Sequence, residues 1–206
     1  MSTSDSVLRV PRSTAEITLT IKGSRFIARA QAAADVAAAN AAIDSVRAKH
    51  PTATHVVYAF RVGGNTSEEY GMSDAGEPKG TAGRPTLEVL RGSGVVDVAL
   101  TTVRYFGGTK LGTGGLVRAY TEAAQAVLAE LPTRTLVTRV TVRVKVGYEH
   151  LDALQRLLKA YGAEVLEQDY AEDASLCFRV EEARFPELQQ RARDVSRGTI
   201  DLIPTP

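Results

Sequence analysis

Cysteine is nearly absent. The one thiol, Cys177, cannot close an intrachain disulfide or build a Cys-rich zinc site, which favours a reducing, cytoplasmic setting. It also has no activating neighbour in sequence, so nucleophilic duty is not expected of it. Histidine is scarce. His50, His55 and His150 stand in three separate segments without H-E-x-x-H or another metal spacing. No G-x-S-x-G occurs, which removes the esterase elbow. Neither sign of charge dominates: 25 Lys and Arg against 24 Asp and Glu leave +1. Any pull toward nucleic acid must then come from local patches. No stretch approaches the ~18 uninterrupted apolar residues of a membrane helix. Residues 1–20 lack the basic-then-apolar pattern of a secretory leader. We expect no membrane partner.

What is present is the balance of a globular protein, 44% hydrophobic and 24% charged over 206 residues. That length suits one medium domain or two small ones. Glycine is concentrated: 13 of 17 lie between Gly63 and Gly115, marking loops of special geometry. The pattern predicts strands at 17–22 and 25–30, a helix over 35–49 opened by Asp35, and a strand over 53–62. A polar loop follows over 63–80, then a short helix over 85–91 and a strand over 95–105. A loop over 107–115 leads into a helix over 116–128 with apolar residues at helical spacing.

Residues 131–135, Leu-Pro-Thr-Arg-Thr, break that helix and read as a linker. Two domains are therefore expected, 1–134 and 135–206. In the second, Val140, Val142, Val144 and Val146 alternate with polar residues, the period of a half-buried strand. A helix over 149–161, strands over 164–168 and 175–180, a helix over 186–195 and a strand over 199–203 complete β-α-β-β-α-β. That is the order of a ferredoxin-like sandwich, so the fold class is α+β. The first 135 residues carry 15 basic and 12 acidic side chains and the rest 10 and 12. The first domain is the better candidate for an anionic partner.

Two segments carry the chemistry. One is residues 73–85, with Asp74, Glu77, Lys79, Thr81 and Arg84. The other is residues 103–120, with Arg104, Tyr105, Lys110, Thr113 and Arg118. Each places a glycine-rich, Lys- or Arg-bearing loop just before a helix. A helix's first-turn N–H groups and its dipole form an anion site there. Neither is a nucleotide fingerprint: Lys110 precedes Gly112 rather than following the second glycine of a P-loop, and G-x-G-x-x-G fails at Val117. The alternative is that Arg104 and Arg118 pair with Asp74, Glu77 or Glu122.

Residues 74–84, residues 104–120, Lys22-Gly23-Ser24-Arg25-Phe26, and Ala53-Thr54-His55 ahead of Tyr58-Ala59-Phe60 together resemble the YigZ/IMPACT family. The likeness covers most of the first domain and rests chiefly on the glycine spacing of 104–120. The second domain resembles the small C-terminal module of the bacterial members by pattern and position. Where relatives often carry another polar or histidine residue after His55, this chain has Val56 and Val57, so no role needing two adjacent imidazoles is expected. The resemblance implies a first domain like the second domain of ribosomal protein S5. It implies a ferredoxin-like second domain similar to late domains of translocation factor G. Its eukaryotic members act in translational control, which makes RNA, the ribosome or a translation-regulatory protein the expected partners.

In the second domain, inward valines would leave Arg139, Arg143 and Lys145, with Cys177 and Arg179 of the 175–180 strand, on an open sheet face. RNA-binding sheets use this face, normally with aromatics for stacking, which these strands lack. The leading expectation is a non-catalytic RNA- or ribosome-associated protein with no catalytic residue, metal or other cofactor. It would grip phosphate through Lys79, Thr81, Arg84, Arg104, Lys110, Thr113, Arg118, Arg139, Arg143, Lys145 and Arg179, with Tyr105 available for stacking. One alternative is a metal-dependent phosphoester or peptide hydrolase using Asp74 and Glu77, with His55 as a further ligand. Another is a protein-binding adaptor.

Overall fold

The computed structural model describes residues 8–64 and 67–205. Residues 1–7, part of the stretch read above as leaderless, lie outside that range. So do Asn65 and Thr66, within the expected loop 63–80, and Pro206. The chain divides into two compact units, Met1–Leu136 and Val137–Pro206, and each is described by itself.

The first unit runs β1 (Arg9–Pro11), β2 (Ala15–Ile21), β3 (Ser24–Ala32), α1 (Val36–Lys49), β4 (His55–Val62), β5 (Glu69–Ser73), α2 (Gly83–Gly92), β6 (Val98–Tyr105), α3 (Gly112–Ala129) and β7 (Thr133–Thr135). Five strands form an antiparallel sheet in the order β2-β3-β6-β4-β5. The central strand, β6, is buried from Val98 to Arg104, because helices cover both faces. Ile43 of α1 packs with Phe60 and Ala99 on one side. On the other, Leu90 of α2 and Val127 of α3 pack with Leu100. The Asp35 carboxylate accepts from Ala38 N at 2.7 Å and opens α1, which stops before Pro51 as a missing N–H requires.

Three sequence expectations change here. The polar loop 63–80 contains β5, whose Gly71 lies under the Phe60 ring; a strand of Glu, Tyr, Gly, Met and Ser has little β-propensity of its own. The linker 131–135 contains β7, which pairs with β1 from Arg9↔Thr135 to Pro11↔Thr133. The loop 107–115 is shorter than expected, because α3 starts at Gly112.

The second unit contains β8 (Arg139–Val146), α4 (Tyr148–Ala160), β9 (Glu164–Tyr170), β10 (Ala174–Glu181), a 3-10 turn (Glu182–Arg184) and α5 (Phe185–Val195). Its sheet order is β8-β10-β9. Val142, Val144, Leu176, Phe178 and Val180 face Leu154, Leu158 and Leu188 of the helices. Burying each such leucine or phenylalanine stabilises by about 1.5–3 kcal/mol. The expected strand over 199–203 is not formed. Beside β8 the chain makes one bridge, Val142↔Pro204, and one backbone bond from Thr205 N to Thr141 O at 2.8 Å. Pro204 has no N–H to donate, so a ladder cannot extend through it. The layout is a ferredoxin-like sandwich with its fourth strand reduced to a single bridge.

Candidate functional site

The site grows from the alternation along β6. Arg104 and Phe106 point to the α3 side of the sheet, and Tyr105 points to the α1 side. In register, Arg104 lies beside Phe26 of β3 and His55 of β4. Glu77 reaches it from the loop after β5. Arg104 Nη1 donates to Glu77 Oε1 at 2.6 Å, and Tyr120 OH of α3 donates to the same oxygen at 2.8 Å. Arg104 Nη2 donates to Ser24 Oγ at 3.3 Å. His55 Nδ1 donates to the Ala75 carbonyl at 2.9 Å, which leaves Nε2 3.8 Å from Glu77 Oε2. Arg104 is 5% exposed and Glu77 8%, so this is a buried ion pair. Burial, and then the Glu77 charge, push the Tyr120 hydroxyl above its ordinary range and keep it a donor.

Asp74 fastens the same loop elsewhere. Its carboxylate accepts from Gly80 N at 2.7 Å, Ala82 N at 3.0 Å and Gly83 N at 2.8 Å, which caps α2. Burial raises its pKa, but the three N–H donors together outweigh burial and hold it below the ordinary carboxylate value.

A pocket of about 360 Å³ opens over this network. Both glycine-bearing segments wall it, Glu77 and Pro78 from the first and Lys110, Gly112 and Thr113 from the second. Arg104 forms part of the wall, and Phe106, Leu111 and Leu116 make it largely apolar. The pocket lies at the start of α3, an 18-residue helix with no side-chain cap among the described residues. The first-turn N–H groups of Gly112, Thr113 and Gly114 therefore lack a helical acceptor. Gly112 has φ +73°, the left-handed conformation that lets the loop turn into the helix.

Of the twelve residues singled out by sequence, Arg104, Lys110 and Thr113 line this pocket. Lys79, Arg84 and Arg118 are exposed on the same unit without lining it. Thr81 is buried, and its hydroxyl donates to the Pro78 carbonyl at 2.7 Å. Two roles need correction. Arg104 is not a free phosphate contact, because Glu77 neutralises it inside the protein. Tyr105 is not a free stacking platform: its hydroxyl is bonded to His50 Nδ1 at 2.9 Å, and the Arg25 guanidinium covers its ring at 4.6 Å. The pocket's aromatic is Phe106, which sequence reading missed. Its parity with Arg104, one residue past the end of β6, was the available signal.

The remaining four residues, Arg139, Arg143, Lys145 and Arg179, are exposed on the second unit's helix-free face. That face is not simply basic. β9 lays acidic residues beside them, and Arg139–Glu164 and Arg143–Glu167 pair at 3.3 and 3.1 Å. Cys177, expected to face outward, sits on this face but is 6% exposed. Arg143 and Glu167 are its partners in the flanking strands and bridge across it.

The hydrolase alternative loses its ligands. Both Asp74 oxygens are occupied by backbone N–H groups, and Glu77 is paired with Arg104. Among the described residues no group of three or more His, Cys, Asp or Glu side chains is placed to hold a metal ion. No helix of the described residues is long and apolar enough to cross a membrane.

Fold and pocket together define a two-unit α+β protein whose larger unit bears a glycine-framed, cation-edged cleft. The Impact N-terminal domain matches residues 22–128, and a domain of unknown function (DUF1949) matches residues 144–199. IMPACT family member YigZ of Escherichia coli is 36% identical over 195 residues, covering 94% of this chain and 96% of that protein. An IMPACT family member of Haemophilus influenzae is 34% identical over 192 residues, 93% of each. A solved structure described as a hypothetical protein is 35% identical, with a TM-score of 0.69 over 97% of both chains. The chain belongs to the IMPACT family.

Proposed function

We propose that this protein is a non-catalytic RNA- or ribosome-associated protein of translational regulation, and that it grips phosphate at the start of α3. The observation that carries this is the convergence of both glycine-bearing segments on one pocket, with Lys110, Thr113 and the uncapped first turn of α3 at its edge. An anion there meets backbone donors, a helix dipole and an ammonium group together. Membership of a family whose eukaryotic members act in translational control supports the same direction. Arg104 has a different part in this reading: with Glu77 it holds the wall in place. The charge-paired sheet of the second unit is a weaker candidate for backbone contact than the pocket.

The test is RNA affinity as a function of salt. Affinity for structured RNA should fall steeply between low and physiological salt, because phosphate contacts release counterions. Lys110→Glu should weaken binding uniformly across sequences and reduce the slope of log affinity against log salt by about one. Absence of binding at low salt, or a slope that ignores Lys110→Glu, would refute the proposal.

A further inference from the structure

Building on that reading of the same pocket, we infer that it is a nucleotide site. It takes a nucleoside monophosphate, the phosphate on the first turn of α3 and the base against Phe106. Four observations lead there. The first is size: about 360 Å³ sits at the low end of small-molecule pockets, room for one nucleotide and too little for a duplex. The second is the wall. Phe106 is 48% exposed, and Leu111 and Leu116 continue the apolar surface beside it. A phosphate backbone gains nothing from such a surface, whereas the flat face of a base does.

The third observation is the donor set. Gly112, Thr113 and Gly114 offer three first-turn N–H groups, with Lys110 adjoining. Arg104, in the same wall, is more than nine-tenths buried, and its Nε has no hydrogen-bond partner among the described residues. A buried donor without an acceptor is unfavourable, and this one stands in the pocket wall, leaving positive charge there that Glu77 does not fully satisfy by hydrogen bonding. Glu77 also borders the pocket, but Arg104 neutralises it, so it does not repel the anion. A terminal phosphate presents three free oxygens to this set, whereas a phosphodiester presents two.

The fourth observation is Gly114. A Cβ built there meets nothing within 4 Å among the described residues, and its φ is not positive. Neither packing nor turn geometry demands glycine in this helical turn, where glycine is unfavourable. A ligand lying on the turn does require a bare backbone.

The experiment follows backbone amide signals of the full chain during titration with adenosine monophosphate, adenosine, inorganic phosphate, and a short single-stranded RNA with or without a terminal phosphate. Adenosine monophosphate should shift the Gly112–Gly115 amides and bind about tenfold or more tightly than adenosine or phosphate alone. Phe106→Ala, at an exposed position, should remove that advantage and leave inorganic phosphate binding unchanged. A preference for the phosphorylated strand supports a strand end as the source. Equal binding of both strands, with adenosine monophosphate still bound, supports a free nucleotide. RNA binding without an adenosine monophosphate response overturns the nucleotide site and leaves the RNA reading standing. Binding of adenosine monophosphate without RNA binding keeps the site and removes that reading. Phosphate binding as tightly as adenosine monophosphate, or no response to any probe, overturns the inference.

Discussion

Arg104 and Glu77 are so deeply buried that neither charge can be removed without stranding the other. Glu77→Ala should destabilise the first unit by about 3–5 kcal/mol, measured by denaturant unfolding. Joint replacement, Arg104→Met with Glu77→Leu, should recover most of that loss, since two apolar groups strand no charge. Asp74 gives a pH dependence of known sign. Its folded pKa lies below the ordinary value, so its stabilisation is complete above about pH 4 and disappears as pH falls below that. Unfolding curves measured down the acid limb should show Asp74→Asn less sensitive than the parent chain. Sequence pattern put Arg104, Lys110 and Thr113 forward, and all three line the pocket; it also offered Asp74, Glu77 or Glu122 as partners for Arg104 without deciding among them. Its partner Glu77 lies 27 positions away, and only the return of the chain through β5 brings the two together. The opposed directions of Arg104 and Tyr105, by contrast, were legible from strand parity alone.

Elements with strong local signals were readable. Asp35 before an Ala-rich run and the valine alternation of β8 lead to the elements observed. β5 and β7 were not readable, because their pairing partners lie in other segments and neither has a hydrophobic period of its own. Conversely, Thr199 to Ile203 had the composition of a strand, yet Pro204 interrupts the ladder. At the start of α3, Gly114→Ala should stabilise the free protein by up to about 1 kcal/mol through helix propensity. The same substitution should weaken nucleotide and RNA binding. Thermal unfolding with and without adenosine monophosphate measures both effects, and a variant that is more stable with undiminished binding would show the bare turn to be idle. Gly107 differs, since a Cβ there would lie 1.9 Å from the Gly23 backbone. The tip of the β2–β3 hairpin thus fixes the loop that leads to Lys110.

At the scale of the molecule, the two units keep separate cores. Val142, Leu154, Phe178 and Leu188 belong to one cluster, while Phe26, Leu100, Tyr120 and Val127 belong to clusters of the first unit. Leu154→Ala should cost the second unit about 2–5 kcal/mol. Hydrogen exchange should then show faster opening in β8 and β10, with β6 unchanged. Charge is divided between the units as well: the surplus of basic residues lies in the first 135 positions, on the unit that bears the cleft. The loop between β5 and α2 is tied by Asp74 to three amides and by Glu77 to an arginine and a tyrosine. The rim of the cleft is therefore assembled before any guest arrives. Recognition there needs no ordering step; encounter should proceed in one kinetic phase, and differences in affinity among guests should reside in how long each one stays.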